Sequence, residues 1–153
     1  MAFDLKAFEK AEFKERVAEV SVPDLACFFG DGEPAVWKVR NLTAPELAKA
    51  EMSAKTEERL KKVMEGMLST SAKDQAEAAK IAIGISDELE PEFIKQLTKL
   101  VLASVEPKIT RQIAVKLANV APNTFYTLVA KINELSGKGA DLGKLPASTK
   151  TKK

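Results

Sequence analysis

Apolar side chains recur at intervals of three and four residues through most of the chain after residue 42, which is the spacing of one face of an α-helix. Gly84, Pro107 and Pro122 interrupt this pattern. We therefore predict a long helix from Thr43 to about Leu68, a shorter helix that ends near Gly84, and three consecutive helices separated by prolines. The apolar positions are Leu60, Val63, Met64, Met67 and Leu68; Ala72, Ala76, Ala79 and Ile83; Phe93, Ile94, Leu97, Leu100, Val101 and Val105; Ile109, Ile113, Leu117 and Val120; and Phe125, Leu128, Val129, Ile132 and Leu135.

The first third of the chain has the weakest helical pattern and the clearest strand pattern. β-Branched residues are frequent from Glu15 to Val22, and residues alternate in character from Ala35 to Arg40. Between them, Pro23 and Asp24 are typical of a helix start, so one or two helical turns are expected from Pro23 to Phe29. We predict that the two strands pair as a small ribbon, which must lean on the helices or on a partner because an isolated hairpin is marginal in water.

These patterns predict a mainly α protein: a compact helical bundle with a small two-stranded β element in its N-terminal third. We expect one helical domain over residues 1–136, with strands and turns in residues 13–41 and helices in residues 43–136. Gly137 is expected to cap the last helix. Residues 137–153 contain five lysines against one acid, Asp141, a net charge of +4. They have few large apolar groups, so we predict a flexible basic tail.

The composition excludes most catalytic chemistry. The 153 residues include no histidine and one cysteine, so the chain has no imidazole base, no histidine-containing or all-thiolate zinc site and no internal disulfide. The acids Glu88, Glu90 and Glu92 cluster at a predicted helix start, where the helix dipole favours negative charge. No glycine-rich phosphate loop precedes a helix. We therefore predict a non-enzymatic protein with no catalytic, cofactor-binding or metal-binding residue.

The lone cysteine and the distribution of apolar residues bear on the environment of the chain. Cys27 lies in the apolar run Leu25–Phe29, so we expect it to be a small buried hydrophobe. No run of about 18 apolar residues and no apolar leader are present, so the sequence predicts neither a membrane span nor a signal peptide. We therefore expect a cytosolic protein.

A helix-turn-helix DNA-binding regulator is the alternative function, with residues 109–135 as the two helices. The stretch from Pro107 to Ser136 has a net charge of +3, from four basic residues against Glu134. The second helix would read bases with its first turn. That turn offers residues 123–127, Asn-Thr-Phe-Tyr-Thr, and no basic side chain appears before Lys131. Nucleic acid is therefore not the expected partner.

Two segments resemble tail assembly chaperones of long-tailed, siphophage-like bacteriophages or prophages. The segment Val36–Ala50, Val-Trp-Lys-Val-Arg-Asn-Leu-Thr-Ala-Pro-Glu-Leu-Ala-Lys-Ala, resembles the block in which a strand of that family leads into a helix. The segment Pro122–Gly139 resembles the family's ending, with its aromatic residues, its Lys-Ile-x-Glu-Leu element and its Gly-x-Gly element. The two blocks directly cover about a fifth of the chain.

This resemblance implies a small helical protein of the host cytoplasm that is absent from the mature virion. Its partners would be the tape-measure protein, which it keeps soluble, and the tail-tube protein, whose subunits it helps to recruit. Members of the family often also form a longer product by translational frameshifting. A chaperone for helical clients needs an apolar groove or stripe rimmed by charge.

We therefore expect partner contacts from adaptable or anchoring apolar side chains. Core packing of the same residues is the open alternative, and so is a homo-oligomer. No cofactor is expected. The predicted partner-binding residues are Trp37, Val39, Leu47, Met64, Met67 and Tyr126.

Overall fold

A computed structural model of the protein describes residues 2–68 and 89–144. These residues form five α-helices, one 3₁₀ helix and five β-strands. In chain order the elements are α1 (Leu5–Lys10), β1 (Glu12–Lys14), β2 (Val17–Ser21), the 3₁₀ helix (Pro23–Phe28), β3 (Val36–Arg40), α2 (Ala44–Leu68), α3 (Pro91–Ala103), β4 (Ser104–Glu106), α4 (Arg111–Val120), α5 (Pro122–Lys138) and β5 (Asp141–Lys144).

The described strands form two antiparallel sheets. The larger has the order β2-β3-β4, with Val20 opposite Trp37 and Val39 opposite Ser104. The smaller pairs β1 with β5. On β3, Trp37 and Val39 are buried and the residues between them are partly exposed, which is the alternation expected of a strand with one face on a core. The predicted pairing of the two N-terminal strands is thus confirmed.

The core lies between the larger sheet and the helices. α5 packs against β2 and β3, and it also contacts α3 and α4, while α3 packs against α2. The largest fully buried side chains come from β3, from the residue after β2, and from α3 and α5. They are Val22, Val39, Leu97, Leu100, Phe125, Leu128 and Ile132. The predicted apolar faces of α3 and α5 therefore meet around one core.

The prediction of a mainly α bundle with a single two-stranded β element is wrong. The described residues are mixed α/β, with a three-stranded and a two-stranded sheet. The third strand, β4, directly follows α3, where the helical pattern was expected to continue to Val105. Pro107 explains the change, because proline disfavours helical backbone at the residue before it and so favours an extended Glu106. The extended segment then pairs with β3.

The expected flexible tail also differs from the structure in its first part. α5 continues to Lys138, and Asp141–Lys144 form β5 against β1. The helix is capped at Gly139, whose φ is +72°, and not at Gly137. Residues 145–153 of the predicted tail and the helix predicted to end near Gly84 lie outside the described residues.

Candidate functional site

A concave surface of about 870 Å³ lies between the 3₁₀ helix, β3 and α4. We call it the apolar groove. Its lining is mostly aliphatic and aromatic, with charged residues around it. The lining residues are Glu19, Leu25, Phe28, Phe29, Gly30, Glu33, Pro34, Val36, Trp37, Lys38, Glu106, Pro107, Lys108, Ile109, Ile113, Lys116, Leu117 and Val120.

Large apolar side chains on two sides of the groove are exposed to solvent. Phe28 of the 3₁₀ helix is 82% exposed, and Val120 of α4 is 66% exposed. Ile113, two turns before Val120 on α4, is also exposed, whereas Trp37 and Leu117 are buried and belong to the core. An exposed contiguous apolar surface costs solvation free energy, and such surfaces mark interaction sites in soluble proteins.

Local sequence explains why Phe28 points outward. Pro23 begins the 3₁₀ helix, and Val22 immediately before it is buried in the core, with its N–H donating to the Ala35 carbonyl at 2.8 Å. Leu25 packs against the core on one side of this short helix. Phe28 is three residues further and lies in the last turn. The segment is therefore anchored at its start and exposed at its end.

A glycine turn returns the chain from the 3₁₀ helix to β3. The Glu33 N–H donates to the Gly30 carbonyl at 2.9 Å, and Gly32 has φ +81°, a conformation that glycine adopts without steric cost. This turn places Glu33 at the edge of the apolar groove. The adjacent Cys27 is exposed, so the expectation of a buried cysteine is wrong.

Some of the charged residues that line the groove form an ion pair with each other, and others do not. Lys38 and Glu106 form an ion pair at 3.1 Å across β3 and β4. Among the described residues, the remaining charged groups of the lining make no ion pair. The acids lie on the side of β2 and the glycine turn, and the lysines lie on the side of α4. These groups are Glu19, Glu33, Lys108 and Lys116.

The structure describes the side chains of four of the six predicted partner-binding residues, and it does not bring these four together. Trp37 and Val39 are core residues, and Leu47 is partly buried against the core. Tyr126 is exposed on α5 and does not line the apolar groove. The side chains of Met64 and Met67 lie outside the described part of α2. Of the four described side chains, only Trp37 lines the groove, at its buried side.

Sequence reasoning missed Phe28, Ile113 and Val120 as candidate contact residues. Ile113, Leu117 and Val120 share the helical spacing of a core face, and only Leu117 among them is buried. Phe28 lies in an apolar run that suggested burial. No periodicity distinguishes a stripe that covers a core from one that lines a groove, because both have the same spacing.

A second exposed apolar surface is formed by phenylalanines in the first 13 residues of the chain. The rings of Phe3 and Phe8 have centroids 5.4 Å apart, and those of Phe8 and Phe13 are 5.6 Å apart. These three side chains, together with Leu5 and Leu142, are exposed. None of them lines the apolar groove. They therefore offer matched controls for substitutions in the groove.

Two described carboxylates with shifted pKa values, Glu46 and Glu57, are each paired with an arginine. Arg40 holds Glu46 with two hydrogen bonds, of 2.6 and 2.9 Å, and this lowers the pKa of Glu46 to about 2. Glu57 forms an ion pair with Arg111, yet burial raises the pKa of Glu57 above its ordinary value. Within residues 2–68 and 89–144, no group of three acid or cysteine side chains is arranged to hold a metal ion.

The geometry of α4 and α5 bears on the DNA-binding alternative. Thr124 and Phe125 in the first turn of α5 are buried, where a recognition helix would present side chains to bases. Arg111, at the start of α4, is engaged with Glu57 of α2. Core packing therefore removes two of the five side chains that could read bases, whereas Asn123, Tyr126 and Thr127 remain exposed.

Within the described part of the chain, no helix is both long and apolar enough to cross a membrane. Comparison of the chain with protein families, with curated proteins and with solved structures finds no match.

Proposed function

We propose that the protein is a non-enzymatic tail assembly chaperone of a long-tailed bacteriophage or prophage. It binds a helical segment of the tape-measure protein in the apolar groove and helps to recruit tail-tube subunits during tail morphogenesis. Two sequence blocks support this role by resemblance, Val36–Ala50 and Pro122–Gly139. The observation that carries it is an apolar groove rimmed by charge, which is the surface that a helix-binding chaperone requires.

The size of the groove suits a helix. An α-helix is about 10 Å across and rises about 5.4 Å per turn, so a groove of about 870 Å³ has room for the apolar face of a short helix. Two turns present an apolar stripe of three or four side chains. The aromatic ring of Phe28 and the aliphatic side chains of Ile113 and Val120 are suitable contacts for that stripe.

In this role the protein acts in the host cytoplasm and is absent from the mature virion. A tape-measure protein is long, and before assembly its helical segments would expose apolar stripes that aggregate. Covering each stripe in a groove keeps the client soluble. No catalysis is needed for this function, which agrees with a chain that has no histidine and one cysteine.

The test uses exposed residues inside the groove and matched residues outside it. Phe28 and Val120 line the groove and are 82% and 66% exposed; Phe3 and Val63 lie elsewhere and are 69% and 62% exposed. The double variant Phe28→Ser/Val120→Ser is expected to bind the tape-measure protein about tenfold or more weakly, since contact anchors contribute more than about 1 kcal/mol each. The control Phe3→Ser/Val63→Ser should bind as the unmodified protein does.

Binding is measured by co-expression with the tape-measure protein from the same genome, followed by co-purification and titration. Circular dichroism checks that both double variants keep their helices. An equal loss of binding in the groove variant and in the control, or full binding by the groove variant, would contradict the assignment of the groove as the client site.

A further inference from the structure

We propose that the occupant of the apolar groove is an amphipathic helix with basic residues along one flank of its apolar stripe and acidic residues along the other. This inference rests on the proposed function, because it specifies the partner of the same site. Its basis is the distribution of charge around the groove.

The charges of the lining separate by sign once the internal ion pair is set aside. Lys38 and Glu106 neutralise each other at 3.1 Å. This leaves Glu19 and Glu33 as acids and Lys108 and Lys116 as bases, and none of these four forms an ion pair among the described residues.

The topology places the two signs on opposite sides. In the sheet order β2-β3-β4, β2 and β4 flank β3 from opposite sides. Glu19 is on β2, and Glu33 is in the turn after the 3₁₀ helix. Lys108 follows β4, and Lys116 is on α4. Apart from the Lys38–Glu106 pair, the charged residues on the β2 and turn wall of the groove are therefore acidic, and those on the β4 and α4 wall are basic.

A helix with opposite charges on its two flanks pairs with both walls at once. A helix with the same sign on both flanks faces a like charge on one wall whichever way it runs, and like-charge juxtaposition weakens binding. Turning an oppositely flanked helix end for end exchanges its flanks, so the groove also selects one direction for the bound helix.

The probes are three synthetic amphipathic peptides of about three turns with the same leucine stripe. One peptide has lysine on one flank and glutamate on the other, the second has lysine on both, and the third has glutamate on both. We expect the mixed peptide to bind about tenfold more tightly than either of the others at low salt. The difference should disappear near 1 M salt, where the screening length is about 3 Å.

Charge reversal of one wall makes the test specific. In the variant Lys108→Glu/Lys116→Glu both walls are acidic, so preference should shift to the lysine peptide. In Glu19→Lys/Glu33→Lys both walls are basic, and preference should shift to the glutamate peptide. Lys49→Glu changes an exposed charge on α2 outside the groove and should leave the mixed peptide preferred.

The outcomes separate the two proposals. Similar binding of all three peptides, or an unchanged preference after either wall is reversed, would overturn the charge pattern while leaving helix binding in place. Failure of all three peptides to bind at low and high salt would overturn the groove as a helix site. Each of the two wall variants tests the charge pattern independently. If one variant fails to fold, the peptide preference of the other still tests the proposal.

Discussion

Trp37 was predicted to contact a partner because tryptophan is a common anchor residue at binding surfaces. The side chain is only 5% exposed and belongs to the core. Its indole Nε1 donates to Ser104 Oγ at 3.1 Å, and that hydroxyl donates to the Leu100 carbonyl at 2.7 Å. The side chain therefore ties β3 to the end of α3.

Replacement of Trp37 should mainly destabilise the fold. We expect Trp37→Ala to lower the free energy of unfolding by about 3–5 kcal/mol, since it removes a large buried side chain and leaves a cavity. Ser104→Ala, which removes the buried hydroxyl, should cost about 1–3 kcal/mol. Urea unfolding measures both. The exposed Tyr126→Ala is the control and should change stability by less than about 0.5 kcal/mol; a similar small change in Trp37→Ala would show that Trp37 is not a core residue.

At the scale of elements, a cluster of polar groups joins the end of β3 to the start of α2. Thr43 and Glu46 form a capping box: the Thr43 N–H donates to Glu46 Oε2 at 2.9 Å, and the Glu46 N–H donates to Thr43 Oγ1 at 3.4 Å. Arg40 at the end of β3 binds the same carboxylate at 2.6 and 2.9 Å. One carboxylate therefore caps the helix and fixes it to the sheet.

The pH dependence of stability should report this cluster. The hydrogen bonds from Arg40 lower the pKa of Glu46 from its ordinary 4.5 to about 2. A lowered pKa means that the stabilisation is complete above pH 4.5 and is lost as the pH falls from 4.5 through about 2. Glu46→Gln should cost about 1–2 kcal/mol at neutral pH. The difference between the two proteins should shrink across that acidic window, as followed by urea unfolding at several pH values; a constant difference down to pH 2 would contradict the role of the charged form.

Predictions of single elements were correct where residues close in sequence specify the element. The start of α2 at the Thr43 cap and the pairing of β2 with β3 follow from capping residues and alternation. β4 was missed because its three residues are too short to show a period of two. Its extended conformation is completed by pairing with β3, which is distant in sequence.

At the scale of the whole molecule, the residues that follow α5 contact the N-terminal part of the chain. Gly139 caps α5 with φ +72°, and its carbonyl accepts from Arg16 Nε at 3.1 Å. Arg16 also pairs at 2.7 Å with Asp141, the first residue of β5, which lies opposite Lys14 of β1. One arginine and one glycine thus join segments more than a hundred residues apart.

Alanine substitutions at the two glycines near the end of α5 should change stability in opposite directions. Gly139→Ala forces a side chain into left-handed backbone and should cost about 1–2 kcal/mol. Gly137 lies in the last turn of α5 with open space where a Cβ would be placed, so Gly137→Ala should stabilise by about 0.5–1 kcal/mol. Thermal unfolding compares the two. Destabilisation by Gly137→Ala with no effect of Gly139→Ala would assign the cap to Gly137 instead.

Residue type and local spacing were enough to predict the lack of histidine chemistry, the helices α2, α3, α4 and α5, the apolar faces of α3 and α5, and the pairing of β2 with β3. The division of apolar residues between the core and the groove came from the fold, because burial depends on what packs against a face. Leu117 is covered, whereas Ile113 and Val120 at the same helical spacing border a groove with Phe28, which comes from a distant part of the chain.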